Sequence, residues 1–340
     1  MPEKPIVSVI IPVYNVERFL RRCLDSVLRQ SFQNWHAICV NDGSTDNSLE
    51  ILQEYAMRDS RFEIINKKNS GSSEARNSGM KYARGEYVLF LDSDDFIHDQ
   101  TLEMMVGTIK QKRADMALFN FDVPFYKDLK SRLKKNKDIS DLVPTSRRKI
   151  YKLNKFRKYV TKNILTHCTE RNRSLWLRRP ARVRKHCYPV LALYKKDLIQ
   201  DISFIKGIII EDFPWWVAVL HKKPKTVITK LPLYFYIPNT TSQLNSSKSL
   251  FMAKSIATGL RASYDLYSQN TSKMDFLHFN YHFLWPFTVI MMRKIRDLDN
   301  EADVATAKEF VSDLYNHGVF DRPRGLRARK YKRRILEFIK

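Results

Sequence analysis

Three carboxylates lie within four residues at Asp92-Ser93-Asp94-Asp95, directly after the apolar run 87–91. Carboxylates this close repel one another, and each raises the pKa of its neighbours. They stay ionised together most readily when a divalent cation binds among them. An acidic turn that caps the next helix is the alternative interpretation. The spacing therefore predicts either a metal site or a helix cap.

A second polar cluster, Asn41-Asp42-Gly43-Ser44-Thr45-Asp46, has the composition of a strand-to-helix turn. Gly43 permits a tight bend, and Ser44 or Thr45 could cap the helix that follows. Asp42 emerges where it could accept a hydrogen bond from a nucleotide base or ribose. It could equally cap the helix, and the motif alone leaves both interpretations open.

The chain lacks a Gly-rich phosphate loop of either standard spacing. A nucleoside diphosphate bound here would need a metal ion to neutralise its phosphates, and the acids at 92–95 are the natural ligands. Tyr14, at the end of the first predicted strand, could stack on a base, although an exposed tyrosine is also common at the rim of a fold. These features favour a nucleotide site that depends on a cation.

Strand and helix patterns alternate along residues 1–123. The predicted strands cover 7–13, 36–41, 62–66, 87–91 and 116–121, and the helices between them cover 16–30, 45–57, 73–83 and 100–112. Repeated βα units of this length predict an α/β fold, with a mostly parallel twisted sheet flanked by helices. Ligands bind at the carboxyl ends of such strands, so we expect the polar clusters at 14–15, 41–44 and 92–95 to converge there.

Several ordered motifs together resemble glycosyltransferase family 2, whose members have the GT-A nucleotide-diphospho-sugar transferase fold. The resemblance is continuous over 6–122 and returns at 211–212 and 233–242. The motifs that carry it are Val7-Ser-Val-Ile-Ile-Pro-Val-Tyr-Asn15, Asn41-Asp-Gly-Ser-Thr-Asp46, Asn69-x-Gly-x-x-x-Ala-Arg-Asn-x-Gly79 and Gly85-Glu-Tyr-x-x-Phe-Leu-Asp-Ser-Asp-Asp95.

The resemblance implies a UDP-sugar donor and a set of donor-binding residues. Those that match family positions near the uracil, ribose or diphosphate are Pro12, Tyr14, Asp42, Arg76, Asp92 and Ser93. The Asp-x-Asp motif of the family, matched at 92–94, implies bound Mn²⁺ or Mg²⁺. Asp94 or Asp95 would be the direct ligand, and the sequence does not decide between them.

The pair Glu211-Asp212 resembles the Glu-Asp pair of the family, which implies that Asp212 is the general base. It would take the proton of the acceptor hydroxyl as that oxygen attacks the anomeric carbon, which implies an inverting reaction. Glu211, Trp215 and Trp216 are candidates for contact with the acceptor. The two tryptophans could provide an apolar platform for a sugar, and core packing is the alternative for at least one of them.

Two positions depart from the family pattern. Asn41 stands where many relatives have an acid, which should matter little because Asp42 matches the base-binding position. Ile237 stands where many relatives have an arginine after the Tyr234–Tyr236 run. If that arginine helps to bind the diphosphate, another basic residue must replace it here, or donor affinity is lower.

Charge divides the chain unequally. Residues 1–123 carry 15 Lys and Arg against 18 Asp and Glu, whereas residues 124–340 carry 45 against 18. The most basic segment, 124–187, carries 21 Lys and Arg against 4 Asp and Glu and predicts one or two inserted basic helices, or a merely solvated charged face.

Strand patterns return after this segment at 188–194, 208–210 and 225–237, and helical patterns follow from about 247. We expect a nucleotide-sugar-binding half at 1–123, an acceptor half at 124–245 and a helical basic extension at 246–340.

The basic tail, 322–340, carries nine Lys and Arg against one acid, with Tyr331, Ile335, Phe338 and Ile339 on one side of a predicted helix. Such a segment can lie on an anionic membrane surface, and a solvated helix end is the alternative. The sequence shows neither a signal-peptide layout nor a run of apolar residues long enough to span a bilayer. The four cysteines have no paired spacing, which fits a reducing compartment.

These observations predict an inverting, metal-dependent glycosyltransferase. It would be cytoplasmic and peripheral on the inner face of the plasma membrane. It would move a sugar to a glycan or lipid-linked acceptor, in the synthesis of lipopolysaccharide, capsule or a similar surface polysaccharide. One alternative is a nucleic-acid-binding protein on an inactive nucleotide-binding scaffold, prompted by the basic half, although no nucleic-acid partner is expected. A nucleotidyltransferase is disfavoured because the turn after the first strand is neither Gly-rich nor basic.

Overall fold

The computed structural model describes residues 4–122, 164–165, 188–237, 249–269, 271–272, 275–276, 279–321 and 325–340. The chain forms two compact units that interleave along the sequence. The first contains 1–169, 188–203 and 224–239, and the second contains 170–187, 204–223 and 240–340. The predicted basic insertion lies outside the described residues except at 164–165, and the three-part division predicted from the sequence stays a prediction.

One sheet is the centre of the first unit. The strands among the described residues are β1 (Val7–Val13), β2 (Trp35–Asn41), β3 (Phe62–Asn66), β4 (Tyr87–Phe90), β5 (Phe96–Ile97), β6 (Met116–Asp122), β7 (Ile164–Leu165), β8 (Ala192–Lys195) and β9 (Thr226–Phe235). Their order is β3-β2-β1-β4-β8-β6-β9-β5, and β7 also pairs with β9.

The sheet is mixed. Its first four strands pair in parallel, with Ile10 of β1 opposite both Ile38 of β2 and Phe90 of β4. Strand β8 then enters antiparallel between β4 and β6, while β6 and β9 are parallel to each other. Strands β1, β2 and β4 are buried almost throughout, as expected for strands covered on both faces.

Helices flank this sheet at α1 (Glu17–Leu28), α2 (Ser48–Arg58), α3 (Ser72–Tyr82), α4 (Thr101–Lys112) and α5 (Lys196–Ile199). Helix α1 buries Phe19, Leu20, Cys23, Leu24 and Val27, the apolar side that its helical spacing predicts. Helix α3 lies so close to β1 that a Cβ on Gly79 would come within 2.5 Å of Ile10 Cγ2. A glycine is therefore required there by close approach.

The predicted α/β pattern of the first 122 residues is present, with element ends shifted by only a few residues. Two details differ. The predicted strand at 208–210 is wrong. These residues are half-buried, their backbone is irregular, and they pair with no strand among the described residues. The two-residue strand β5 was not predicted, because so short a segment has no periodicity to read.

The described part of the second unit is helical. It contains α6 (Asp212–His221), α7 (Ser249–Gln269), a π-helical turn at Asn280–Leu284 that leads into α8 (Trp285–Arg296), α9 (Glu301–Asn316) and α10 (Gly325–Ile339). Gly259 of α7 packs against Phe213 and Pro214 of α6. Pro214 lies in the first turn of α6, where its missing N–H costs nothing. The predicted helical C-terminal region is therefore present.

Helix α10 packs against α9 within the second unit. Ala328 and Ile335 are buried, Lys308 of α9 lies over the ring of Phe338, and Lys332 lies over Tyr315 of α9. Among the described side chains of α10, Arg329, Lys330, Arg333 and Arg334 are exposed, and so is Lys340 directly after the helix. No helix in the described part of the chain combines the length and the hydropathy needed to cross a bilayer.

Candidate functional site

The turns after β1 and β2 are joined by hydrogen bonds. Asn15 donates its backbone N–H to Ser44 Oγ (3.2 Å), and its Oδ1 accepts from the backbone N–H of Thr45 (2.8 Å). The expectation that Ser44 or Thr45 caps α2 is wrong, because both residues bind the turn after β1 and α2 begins only at Ser48. The two turns are therefore held together at the carboxyl ends of β1 and β2.

Asp42 lies buried at this edge and holds the loop that precedes α3. Its Oδ1 accepts from Lys67 Nζ (2.5 Å) and from the backbone N–H of Ser70 (3.0 Å), and its Oδ2 accepts from the backbone N–H of Gly71 (2.7 Å). The adjacent Gly43 has φ +73°, and a Cβ there would come within 2.8 Å of the backbone nitrogen of Asn69. The motif glycine thus lets the loop close over the turn.

The other residues predicted to hold the base are at the same edge. Tyr14 directly follows β1 and its side chain is 42% exposed, while Pro12 is the half-buried penultimate residue of β1. Asn41 is buried and donates from Nδ2 to Asn66 Oδ1 (2.8 Å). Its amide therefore links the ends of β2 and β3, which gives the departure from the family pattern a structural role.

The acidic turn follows β4 at the neighbouring position in the sheet. Arg76 of α3 is buried and donates from Nη2 to Asp92 Oδ1 at 2.8 Å. Ser93 is buried, whereas Asp92 and Asp94 are half-buried. The structure thus brings Arg76 and the Asp-x-Asp residues together at the end of β4, the strand next to β1, which Tyr14 follows.

Asp95 differs from the other two acids because it is buried, with 2% exposure. Tyr234 donates its hydroxyl to Asp95 Oδ2 (2.5 Å), and the backbone N–H of Ile237 donates to Oδ1 (2.7 Å). Burial, followed by the charges of Asp94 and Asp92, raises the pKa of Asp95 well above its usual value. Both oxygens of Asp95 therefore connect the acidic turn to the end of β9.

Ile237 is buried in an apolar cluster with Phe19 and Phe96, and Phe235 packs against this cluster. The side chain at this position therefore belongs to the core of the first unit. The sequence alone could not predict the burial of Ile237, because the residues that cover it lie up to 218 positions away in the chain.

Helix α1 supports the acidic turn from beneath. Arg22 donates from Nη2 to the backbone carbonyl of Asp94 (3.2 Å), and Cys23 Sγ donates to the carbonyl of Asp92 (3.7 Å). Further along the helix, Ser26 Oγ accepts from the backbone N–H of Ile97, and Gln30 Nε2 donates to the carbonyl of His98. Arg22 was not predicted as a site residue, because its charge alone resembles that of any surface arginine on an amphipathic helix.

The residues at the acidic turn suit a hard divalent cation only in part. Within the described ranges, no group of three or more His, Cys, Asp or Glu side chains is arranged to hold a metal ion. Mg²⁺, however, is commonly held by one or two carboxylates together with substrate phosphates. Asp92 and Asp94 supply such oxygen ligands, so the donor set fits a cation that a diphosphate helps to bind.

Glu211 and Asp212 are in the second unit, where Glu211 precedes α6 and Asp212 is its first residue. Glu211 is buried and Asp212 is half-buried. An acid in the first turn interacts favourably with the helix dipole.

Trp215 and Trp216 do not form the predicted sugar platform. They are 2% and 0% exposed, and Trp215 stacks on Phe204 with ring centroids 4.8 Å apart. The expectation that they contact the acceptor is corrected, because neither ring has a face open to a ligand. Core packing, the alternative considered for at least one of them, applies to both.

The sheet of the first unit, with an acidic turn after its fourth strand, has the arrangement of the GT-A fold. The structure superimposes on S. aureus TarS 1-349 in complex with UDP-GlcNAc with a TM-score of 0.63, at 18% sequence identity, over 98% of this chain and 89% of TarS 1-349. It also resembles the mannosyltransferase PcManGT from Pyrobaculum calidifontis, solved with GDP-Man and Mn²⁺, with a TM-score of 0.53, at 12% identity, over 99% and 86% of the two chains. The predicted fold class is confirmed.

The family model for glycosyl transferase family 2 matches residues 8–182, and the chain belongs to this family. It is 44% identical over 112 residues to the uncharacterized glycosyltransferase EpsJ of Bacillus subtilis, which covers 33% of each chain. It is 27% identical over 322 residues to the uncharacterized glycosyltransferase YibD of Escherichia coli, which covers 93% of this chain and 86% of YibD. The match spans 33% of the length of EpsJ, 36% of EpsH and 39% of GlyG, so the chain covers only about a third of these relatives.

Proposed function

We propose that the protein transfers a sugar from a UDP-sugar to a hydroxyl group of a glycan or lipid-linked acceptor, with inversion at the anomeric carbon. The observation that carries this proposal is the pairing of Arg76 with Asp92 in the acidic turn, at the same edge of the sheet as Asp42. Family membership and the UDP-GlcNAc bound to TarS support a nucleotide-sugar donor.

Asp42 is suited to an imide N–H of the uracil base. A carboxylate offers about four acceptor positions, and three contacts from the loop at 67–71 occupy three of them. One position is therefore left for a base whose ring stacks on the exposed Tyr14. Pro12, at the end of the same strand, would border the base.

Asp92 and Asp94 would hold Mn²⁺ or Mg²⁺ together with the diphosphate, and we assign Asp94 rather than Asp95 as the direct ligand. When bound, the cation neutralises the charge that builds on the departing diphosphate. Arg76 adds positive charge beside Asp92, and Asp92 and Ser93 would contact the ribose. Asp95 keeps the turn attached to β9 through Tyr234 and Ile237.

Asp212 is proposed as the general base that accepts the proton of the acceptor hydroxyl. The forming bond joins the acceptor oxygen to the anomeric carbon, the bond from that carbon to the diphosphate breaks, and UDP leaves with the bonding electrons. The proton passes to Asp212. The support for this role is the Glu-Asp motif and its place at the start of α6.

A surface polysaccharide such as lipopolysaccharide or capsule is the proposed product class, made at the cytoplasmic face of the plasma membrane. Because Ile335 of α10 is buried and Tyr331, Phe338 and Ile339 are half-buried, membrane contact would use the exposed basic side chains of α10. Charge reversal at Arg329, Lys330 and Arg333 should release the protein from anionic vesicles. Unchanged vesicle binding would contradict this part of the proposal.

The test of the function is UDP release from a panel of UDP-sugars, with Mn²⁺ or with a chelator. We expect one donor to give metal-dependent release. Asp212→Asn should still bind UDP and lose transfer, whereas Glu301→Gln, which changes the first acid of another helix in the second unit, should match the wild type. No UDP binding by the wild-type protein would contradict the proposed function.

A further inference from the structure

Three aromatic side chains are exposed at one edge of the sheet in the first unit. Phe121 is 41% exposed, Tyr188 50% and Tyr236 44%. We propose that these residues form a platform on which a pyranose ring of the acceptor glycan packs. The inference rests on the proposed function and assigns the acceptor contact that the buried Trp215 and Trp216 do not provide.

The strand pairing places the three residues together. Strands β6 and β9 are parallel, with Phe121 opposite Tyr234 and Asp122 opposite Phe235, so Tyr236 continues β9 beside the end of β6. The rings of Phe121 and Tyr236 contact each other edge to face, with centroids 6.5 Å apart. Phe121 and Tyr236 therefore form the centre of this aromatic platform.

Tyr188 reaches the same edge from the next strand. It precedes the 3₁₀ turn Pro189–Leu191, which leads directly into β8. Strand β8 runs antiparallel to β6, with Ala192 opposite Leu118, so the residues before β8 lie beside the residues after Leu118. A hydrogen bond from the hydroxyl of Tyr194 to the carbonyl of Pro189 (3.0 Å) fixes this turn.

The aromatic platform is attached to the acidic turn. Tyr234 and Ile237, on either side of Tyr236, both donate hydrogen bonds to Asp95. Partial burial raises the pKa of Tyr236 from its usual value, and so do the nearby charges of Asp95 and Asp94. The platform is therefore held beside the carboxylates that would bind the donor diphosphate.

The order of the strands favours a sugar as the occupant. The residues proposed for the base follow β1 and β2, the acidic turn follows β4, and the platform lies beyond it at β8, β6 and β9. A donor bound with its base near Asp42 and its diphosphate at the acidic turn directs its sugar towards the platform. An acceptor must meet the donor at that sugar, and a pyranose ring presents a C–H face that packs on aromatic rings.

The test is saturation-transfer-difference NMR on the full chain with saturating UDP and Mn²⁺. Glucose, galactose and N-acetylglucosamine are the probes, each offered alone. We expect transfer to the ring C–H protons of at least one sugar. Affinity for it should fall about tenfold in Tyr236→Ala and be retained in Tyr236→Phe, because the ring face carries the contact.

Tyr82→Ala is the matched control, since Tyr82 is a 47% exposed tyrosine on α3 in the same unit. It should bind the sugar as the wild type does. Phe121→Ala is a second platform variant should Tyr236→Ala fail to fold. The inference would be overturned if the folded platform variants kept the sugar affinity of the wild type. It would also be overturned if the wild-type protein transferred no saturation to any of the three sugars.

Calorimetry with UDP and with the matching UDP-sugars separates the donor from the acceptor. The platform variants should bind UDP and UDP-sugars as the wild type does. If they weaken a UDP-sugar but not UDP, the platform holds the donor sugar and the acceptor assignment is overturned. If the wild type binds UDP but no free sugar, the platform alone fails. If it binds no UDP, the proposed function fails as well.

Discussion

Arg22 of α1 donates a hydrogen bond from Nη2 to the backbone carbonyl of Asp94 at 3.2 Å, from beneath the acidic turn. The arginine is buried, and its guanidinium lies over the ring of Phe96, 5.0 Å from the centroid. It thus places a fixed positive charge under a segment with three carboxylates. We conclude that Arg22 is a positioning residue for the turn.

Arg22→Met should weaken the binding of UDP in the presence of Mn²⁺ by about tenfold. Methionine keeps the length and the contact with Phe96 but removes a hydrogen bond from a charged donor, which is worth about 1.5–3 kcal/mol. The measurement is calorimetric titration of UDP, with and without Mn²⁺, alongside urea unfolding.

Arg18→Met, at an exposed arginine one turn earlier in α1, is the matched control and should change neither quantity. Arg22→Lys should recover part of the affinity because it restores the charge but not the planar donor group. If Arg22→Met lowers stability and leaves UDP affinity unchanged, Arg22 has a structural role only.

Replacement of Asp94 and of Asp95 by alanine should have different effects on stability and on metal-dependent UDP binding. Asp95→Ala leaves the buried hydroxyl of Tyr234 and the N–H of Ile237 without an acceptor, so the free energy of unfolding should fall by about 2 kcal/mol. Asp94→Ala should change stability by less than about 0.5 kcal/mol and abolish the Mn²⁺ dependence of UDP binding.

Urea unfolding and Mn²⁺-dependent UDP titration of both variants give the answer. Tyr234→Phe should reproduce part of the instability of Asp95→Ala, since it removes one of the two donors. Loss of the Mn²⁺ effect in Asp95→Ala but not in Asp94→Ala would reverse the assignment of the metal ligand.

Lys67 should stabilise the loop that Asp42 holds. Its Nζ lies 2.5 Å from Asp42 Oδ1, and the carboxylate is buried. Lys67→Met leaves that charge with only two backbone donors, so we expect a loss of about 2 kcal/mol in the free energy of unfolding. The exposed neighbour Lys68→Met is the control in the same urea experiment. Equal stability of the two variants would show that Asp42 does not depend on this ion pair.

The sequence was informative where a local pattern determines the result. The buried runs of β1, β2 and β4 and the helical spacing of α1 are local, and parallel strands that share an edge bring Asp42 and Asp92 to the same side. These features could be predicted because each depends on neighbours within one βα unit.

Features that depend on distant pairing could not be predicted. The antiparallel entry of β8 between β4 and β6 joins residues 74 to 108 positions apart. The burial of Asp95 depends on Tyr234, 139 residues away. Two adjacent tryptophans, Trp215 and Trp216, are residues that often bind a sugar ring, but only the packing of the second unit shows that both rings are buried.

His36 should make the protein less stable as the pH falls from 7 to 5. The imidazole is buried in β2, with Nε2 2.6 Å from Ser8 Oγ and Nδ1 facing Arg84 at 3.3 Å and Glu63 at 4.0 Å. Burial, and then the charge of Arg84, lowers its pKa from 6.5 to about 4. Between these values the unfolded chain binds a proton that the folded protein excludes, so stability is lost as the pH falls, by about 2 kcal/mol between pH 7 and pH 5.

The comparison that isolates this contribution is urea unfolding of the wild type and His36→Gln at pH 7, 6 and 5. Glutamine keeps a side chain that can accept from Ser8 but does not titrate, so the variant should be less stable at pH 7 and lose less stability on acidification. The difference in free energy between the two proteins should therefore narrow by about 2 kcal/mol as the pH falls to 5. A constant difference would mean that His36 binds its proton equally well in the folded and unfolded states.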